Sequence, residues 1–322
     1  MVKSDFSSTE GITLTYPEGH EDIEYRKLVS FYNELISLIP DSKSINLLCI
    51  NKQIANKVLL LFPNKKIKTI ISKMEEIWLR DIMGFKFNSD VYCPIFKPDY
   101  FINHYTSEYI LSIQKQVEIT HELANLTTQH LPIILDGGNF ISNGLYGIIT
   151  EKILNYHSKK KLKKIFNKKL NIEPIIIPHL EGDILGHSDG IINFIDKNTI
   201  VLSSYPKHLP SLIQERKTLK IIKTQLLKYG FRIVEIKDRP VFESHITPEG
   251  KLPSARGIYV NYIQIDNLII LPEYKLPKYK STFDYNEFNK KQMQQEGFEV
   301  KTINCDNLGK LGGGLRCISW CF

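Results

Sequence analysis

Cys317 is the residue of this 322-residue chain whose sequence setting most clearly suits chemistry. It follows residues 312–316, which read GGGLR, and lies five residues from the end of the chain. Glycine lets a backbone turn sharply and approach other groups closely, so this run can present the thiol to a ligand. An unpaired cysteine is more often a small apolar core residue. The polar residues upstream favour the chemical interpretation.

The upstream residues that can act with this thiol are His187 and three aspartates, Asp81, Asp136 and Asp189. A thiolate is a strong nucleophile, and a nearby histidine can serve as general acid and later as general base. Carboxylates beside them repel anions and raise the pKa of the thiol, so they disfavour phosphate or carboxylate substrates. They suit a planar cation with several N–H donors, and a guanidinium group is such a cation.

The chemistry predicted from these residue types is the removal of ammonia from a guanidinium group. Cys317 attacks the guanidinium carbon while Asp81 and Asp189 hold the nitrogens. His187 protonates the departing amine, which leaves a covalent amidino-cysteine, and then activates a water that cleaves it to a ureido product. Asp136 is predicted to bind the imidazole and fix its orientation, the third-group role of nucleophile triads.

A repeated unit of two short strands, a helix and a third strand must position these residues. Four predicted hairpins cover residues 85–88 with 91–96, 139–142 with 146–150, 191–194 with 199–203, and 257–265 with 268–271. The helices that follow them cover residues 106–129, 159–169, 208–228 and 283–295, and the third strands cover residues 133–135, 175–177, 231–236 and 298–303. A fifth unit is split between residues 317–320 and residues 11–50, and an extra helix and strand occupy residues 51–71.

These repeats predict an α/β ring of about five units, which is sealed where the two chain ends meet. Equivalent positions of such a ring face one axis, and the first-strand entries are Asp81, Asp136, His187 with Asp189, Asn261 and Cys317. The alternative is an open α/β sheet. A hairpin before every helix fits that alternative poorly, because hairpin strands are antiparallel.

Composition and charge limit the other classes of function. Hydrophobic residues make up 42% of the chain and charged residues 24%, as in ordinary soluble proteins. Five cysteines without scaffold-like spacing indicate a reducing compartment. Cys317 and Cys321 lack a second cysteine or histidine pair, so a zinc site is not expected. Neither a signal peptide nor a run of about 20 apolar residues is visible, which predicts a cytoplasmic location and no membrane partner.

The net charge of +7 raises the question of nucleic-acid binding. Much of the excess lies in residues 159–169, which read KKKLKKIFNKK. The apolar residues of this stretch recur at helical spacing, so the lysines are expected to form the solvated face of an amphipathic helix. Nucleic acid is therefore not the predicted partner, and secretion without a signal peptide stays open.

Four motifs of the chain resemble those of the agmatine deiminase and bacterial peptidyl-arginine deiminase family. They are WLRD at residues 78–81, DGGN at 136–139, GHSD at 186–189 and GGGLRC at 312–317, and residues 254–272 add a similar strand pair. The resemblance runs in order over residues 45–317. It implies a pentein fold, one catalytic domain over residues 1–322, guanidine-modifying activity, and no metal or organic cofactor.

The resemblance also implies site roles. Cys317 corresponds to the nucleophile, His187 to the acid and base, and Asp81 and Asp189 to guanidinium anchors. Trp78 is expected to line the aliphatic stem of the substrate, with a core position as the alternative. Asn261 is expected to form a hydrogen bond at the rim of the site.

Two departures from the family pattern leave the substrate open among agmatine, free arginine and peptidyl-arginine. Leu315 and Arg316 precede the nucleophile where agmatine deiminases typically have Ile-His, and Asp136 stands where they usually have Glu. If Arg316 faces the pocket, it repels a terminal ammonium or attracts a carboxylate. An amidinotransferase on the same fold, and an inactive pentein that only binds, are the alternative functions.

Overall fold

The computed structural model of the protein describes residue 6 and residues 9–87, 89–100, 105–247, 250–277 and 283–322. Asn88, the end of one predicted strand, lies outside these residues. The strands are β1 (Gly11–Thr15), β2 (Ser44–Cys49), β3 (Lys66–Ile71), β4 (Phe85–Phe87), β5 (Asp90–Ile95), β6 (Thr127–Ile134), β7 (Ile141–Ser142), β8 (Tyr146–Thr150), β9 (Glu173–Ile177), β10 (Ile192–Phe194), β11 (Thr199–Ser204), β12 (Arg232–Lys237), β13 (Ser244–Thr247), β14 (Gly250–Pro253), β15 (Ile263–Ile265), β16 (Leu268–Glu273), β17 (Glu299–Asn304) and β18 (Trp320–Cys321).

The helices connect these strands, and several begin at a side chain that caps the first turn. Asn51, Thr106, Ser158 and Asp284 each accept a hydrogen bond from a backbone N–H two or three residues into their helix. The helices are α1 (Ile23–Arg26), α2 (Val29–Leu38), α3 (Lys52–Leu61), α4 (Leu79–Ile82), α5 (Ser107–Leu123), α6 (Lys159–Ile165), α7 (Ile213–Lys228), α8 (Tyr285–Gln295) and α9 (Asp306–Lys310).

Five sheets of the described chain share one pattern, an antiparallel pair followed by a parallel strand. The pattern appears in β4-β5-β6, β7-β8-β9, β10-β11-β12 and β15-β16-β17. In the fifth sheet, β18 pairs antiparallel with β1, β1 pairs parallel with β2, and β3 extends the edge. The five predicted units are therefore confirmed, including the one split between the chain ends. The hairpin β13–β14 is an addition that the sequence pattern did not predict.

Element boundaries depart from prediction where the backbone leaves its regular path. The helix predicted over residues 106–129 ends at Leu123, because Asn125 adopts a left-handed φ of 59° and the β-branched residues after it enter β6. Strand β15 is confined to Ile263–Ile265, although the pattern predicted a strand from residue 257. Cys317 lies in a turn before β18 rather than within the strand.

The basic stretch forms the amphipathic helix that the sequence predicts. Leu162, Phe166 and Leu170 are fully buried on its inner face, while most of its lysines are exposed. Burial of each such side chain contributes about 1.5–3 kcal/mol. The helix is α6 as far as Ile165 and continues as a wider π-type turn through Leu170. Within the described residues, no helix has the length and apolar character to cross a membrane.

Candidate active site

The five units are joined at the centre of the ring by a closed circuit of hydrogen bonds. Each bond links one unit to the next, and the circuit returns to its start. The bonds run from Arg80 N–H to Cys317 O (3.0 Å), from Arg316 N–H to Asn261 Oδ1 (2.9 Å), from Asn261 Nδ2 to Asp189 O (3.2 Å), from Ser188 Oγ to Gly138 O (3.3 Å) and from Gly138 N–H to Asp81 Oδ1 (2.9 Å). The turns that carry the predicted site residues therefore meet at one axis.

Gly138 is the residue that allows the acidic groups and the imidazole to gather. A Cβ atom at this position would lie 2.6 Å from Asp81 Oδ1, 2.7 Å from His187 Nδ1 and 3.3 Å from Asp189 Oδ2. Real Cβ atoms essentially never show the two shorter contacts, so a larger residue would force Asp81 and His187 to shift. Glycine at this point of the DGGN motif thus permits the close approach of side chains from two neighbouring units.

The glycines before Cys317 serve two purposes. Gly312 has a φ of 89°, which only glycine adopts easily, and it turns the backbone toward the axis. Gly313 lies against the indole of Trp78, and Gly314 lies against the amide of Asn261, where added Cβ atoms would approach to 2.2 Å and 2.5 Å. The run therefore brings the backbone that leads to Cys317 close to both side chains, as the glycine motif predicts.

His187 lies at the centre of the acidic groups, with only 5% of its side chain exposed. Its Nε2 is 3.1 Å from Asp136 Oδ2, and its Nδ1 is 3.6 Å from Asp81 Oδ1. Burial alone would lower the pKa of the imidazole, but Asp81, Asp136 and Asp189 together raise it to about 10. The imidazole is therefore positively charged at neutral pH.

Cys317 is partly buried, and its thiol lies beside Asn261 and Asp189. Its Sγ lies 3.5 Å from Asn261 Oδ1 and 3.9 Å from Asp189 Oδ2. Burial, followed by the charges of Asp189 and Asp81, raises the pKa of the thiol well above its usual value. At neutral pH Cys317 is thus a thiol rather than a thiolate.

Asp81 and Asp189 differ in how their charges are balanced. Burial is the main cause that raises the pKa of Asp81. The charge of His187 opposes this shift, while the charges of Asp136 and Asp189 add to it. Asp189 Oδ2 accepts a hydrogen bond from Arg316 at 3.0 Å, and both side chains are less than 5% exposed. Asp81 is therefore the carboxylate that an added cation would stabilise most.

Arg316 does not line the cavity that leads to Cys317. Its guanidinium binds Asp189 and donates a second hydrogen bond to the carbonyl of Phe140 at 3.2 Å. The condition under which Arg316 would repel an ammonium or attract a carboxylate of the substrate is thus not met.

A cavity of about 320 Å³ leads from the surface to Cys317. Six of the seven predicted site residues line it, namely Trp78, Asp81, His187, Asp189, Asn261 and Cys317. Asp136, the seventh, lies behind His187. Asn261 is 4% exposed and lies at the base of the cavity beside the thiol, not at its rim as expected.

The remaining lining of the cavity includes aromatic and acidic side chains. The aromatic side chains there are Tyr25, Tyr100, Tyr105, Tyr205 and Phe242, and the acidic ones are Asp22, Glu24, Asp183 and Glu215. No lysine or arginine is among the described residues that line it. Sequence reasoning did not identify these residues, because they come from loops and helix ends without a motif.

Among the residues that the structure describes, no group of three or more His, Cys, Asp and Glu side chains is arranged to hold a metal ion. The chemistry that the arrangement supports is attack by sulfur on a cationic carbon, with proton transfer through His187. The site favours a cation, because Asp81 and Asp189 line the cavity and no lysine or arginine is among its described lining residues.

A family model matches residues 1–321, and its description is Porphyromonas-type peptidyl-arginine deiminase. The chain belongs to this family. The match extends over nearly the whole chain, so all five units and every predicted site residue fall within it. No curated protein sequence is significantly similar to the chain.

Solved structures with low sequence identity share the fold of this family member. An agmatine deiminase from C. jejuni is 19% identical, with a TM-score of 0.74, and the match covers 100% of this chain and 96% of that one. An agmatine deiminase of Enterococcus faecalis is 15% identical, with a TM-score of 0.72 and coverage of 99% and 94%. A dimethylarginine dimethylaminohydrolase is 12% identical, with a TM-score of 0.56 and coverage of 98% and 100%. The fold is the pentein fold.

Proposed function

We propose that this protein is a guanidine deiminase that converts a guanidino group to a ureido group and releases ammonia. The observation that carries the proposal is the placement of Cys317, His187 and two carboxylates around one cation-binding cavity. The family description and the agmatine deiminases of the same fold support the same reaction. A cysteine-to-serine variant of the C. jejuni enzyme has a substrate-bound structure, which is consistent with a cysteine nucleophile here.

Substrate binding activates the thiol in this proposal. The guanidinium enters between Asp81 and Asp189, and its positive charge offsets the carboxylates that keep the pKa of Cys317 high. The thiol then releases its proton to solvent through the open cavity, and the resulting thiolate attacks the guanidinium carbon. Trp78 packs along the aliphatic stem, and Asn261 holds the turn that carries Cys317 by accepting from its backbone N–H at 3.3 Å.

His187 transfers protons in both halves of the reaction. Its Nε2 faces Asp136, so its Nδ1 is the nitrogen available on the side of Asp81. Nδ1 gives its proton to the leaving nitrogen, the C–N bond breaks and ammonia departs, which leaves an amidino group on Cys317. The neutral imidazole then takes a proton from water, the resulting hydroxide adds to the carbon, and the C–S bond breaks to release the ureido product.

The acidic side chains that line the cavity favour some guanidine substrates over others. A free α-carboxylate would approach Asp22, Glu24, Asp183 and Glu215 without a basic partner in the described lining. An ammonium, or a peptide without a nearby carboxylate, avoids this repulsion. We therefore propose agmatine or peptidyl-arginine as the substrate class, ahead of free arginine.

A colorimetric ureido assay, run together with ammonia detection on agmatine, arginine and an arginine peptide, tests the proposal. Cys317→Ala should lose both products, and Cys321→Ala is the matched control that should retain them. Equal signals from wild type and Cys317→Ala would refute a catalytic cysteine. Amidino transfer to an added amine with little ammonia would indicate an amidinotransferase, and binding without turnover would indicate an inactive pentein.

We also propose that the whole chain acts as one catalytic domain in the cytoplasm. The pairing of β18 with β1 joins the two chain ends in one sheet. All five cysteines are free, which suits a reducing compartment. Removal of β18 should abolish the cooperative unfolding transition if the chain is one domain.

A further inference from the structure

Tyr100 contacts the proposed catalytic groups from the loop after β5, and no motif marks it. Its hydroxyl donates a hydrogen bond to Asp136 Oδ2 at 3.1 Å. The same oxygen lies 3.1 Å from His187 Nε2. The tyrosine ring also meets the imidazole edge to face, with centroids 6.1 Å apart. Tyr100 therefore touches both the imidazole and the carboxylate that orients it.

The hydroxyl of Tyr100 is suited to be a permanent donor. Burial, followed by the charges of Asp136 and Asp81, raises its pKa well above the usual value for tyrosine. The phenol thus stays protonated over the whole range in which an enzyme works. Asp136 Oδ2 then always accepts from the neutral hydroxyl of Tyr100 as well as from the imidazole of His187.

Asp136 has room to move if this donor is removed. A second, smaller cavity of about 30 Å³ borders Asp136 and is also lined by Asn139, Lys152 and Tyr156. That volume accepts about one water molecule.

Tyr100 is itself held in place. Lys152 Nζ lies 5.4 Å from the centre of its ring, and the same nitrogen pairs with Asp99 at 2.8 Å. Tyr105 packs edge to face on the ring, with centroids 6.0 Å apart. A side chain supported on two sides can fix the position of the group to which it donates.

We propose that Tyr100 is a positioning residue whose hydroxyl holds Asp136 so that the carboxylate orients His187 for proton transfer. The effect of Tyr100 on the reaction rate rests on the proposed deiminase function. The guanidinium does not need the hydroxyl, so the effect falls on turnover and not on binding.

Tyr100→Phe removes the hydroxyl and keeps the ring. We expect kcat to fall about 10- to 100-fold while KM stays within about twofold. Tyr156→Phe is the matched control, since its hydroxyl binds Asp99 on the same side of the site, and its kcat should stay within about twofold. In an Asp136→Ala background, Tyr100→Phe should have no further effect, because the two residues act as one unit. A kcat within twofold of wild type, or additive losses in the double variant, would overturn the assignment.

An NMR titration of His187 tests the contact without any turnover. The charged groups around the imidazole are Asp81, Asp136 and Asp189, with Arg316 behind Asp189. If Tyr100 positions Asp136, Tyr100→Phe loosens the contact with Nε2 and the titration midpoint of His187 moves to lower pH. If the hydroxyl only competes for the oxygen, the midpoint moves to higher pH, which would contradict the proposal, as would an unchanged midpoint. A wild type that is inactive on every guanidine would refute the proposed function and leave this titration to decide the role of Tyr100.

Discussion

Replacement of Arg316 by methionine tests the charge balance at the base of the site. The substitution keeps an apolar stem of similar length and removes the guanidinium that pairs with Asp189 at 3.0 Å. Asp189 is 2% exposed and Arg316 is 3% exposed, so neither charge has water as a substitute partner. Removal of one partner from a buried ion pair costs about 3–5 kcal/mol.

The melting temperature is the direct measure of this loss. At about 2.1 cal/mol/K per residue, unfolding of a chain of 322 residues has an entropy of about 0.7 kcal/mol/K. A loss of 3–5 kcal/mol therefore lowers the melting temperature by about 4–7 °C. Arg232→Met is the control, because Arg232 is 55% exposed in its pair with Glu296 and should cost under about 1 kcal/mol.

Thermal unfolding followed by circular dichroism, with wild type and both variants at one pH, provides the comparison. A double variant with Arg316→Met and Asp189→Asn should melt higher than Arg316→Met alone, since it no longer buries an unpaired charge. If Arg316→Met melts within about 2 °C of wild type, or the double variant melts lower than the single one, the reasoning is refuted. In either case Arg316 would not be the counter-ion that the buried carboxylate requires.

Two further substitutions test other parts of the structure. Burial raises the pKa of Asp238 to about 7. In the folded protein Asp238 therefore keeps a proton that the unfolded chain releases near pH 4. The stability that this proton binding confers is lost as pH rises from about 4 through 7. The Asp238→Asn side chain cannot ionise, but it can still accept a hydrogen bond from Tyr259 N–H and bond to Ser203. The urea midpoint of this variant relative to wild type should therefore rise between pH 5 and pH 8. A difference that stays constant over this range would contradict the raised pKa of Asp238. Gly138→Ala places a methyl group 2.6 Å from Asp81 Oδ1 and 2.7 Å from His187 Nδ1, and it should reduce kcat/KM by at least about 100-fold in a chain with a native circular dichroism spectrum. Activity within tenfold of wild type would show that the site does not depend on this close approach.

The repeated units could be predicted because their signals are local. Turn residues such as Asn143-Gly144 and Asp196-Lys197-Asn198 mark hairpins, and apolar spacing marks helices, whatever the rest of the chain does. Boundaries were less accurate where a single left-handed residue, such as Asn125, ended an element before its apolar pattern did. Apolar spacing does not predict at which residue the backbone adopts a left-handed conformation.

The sequence by itself determined which side chains meet at the axis, because a repeated unit carries equivalent positions to the same place. Cys317, His187 and the three aspartates follow from motif and repeat alone. Only the tertiary structure decided that Arg316 turns away from the cavity to Asp189, and that Tyr100 donates to Asp136. These contacts join loops of different units, and their geometry depends on how the units pack around the ring. The same packing brings acidic side chains from several loops to the lining of the cavity.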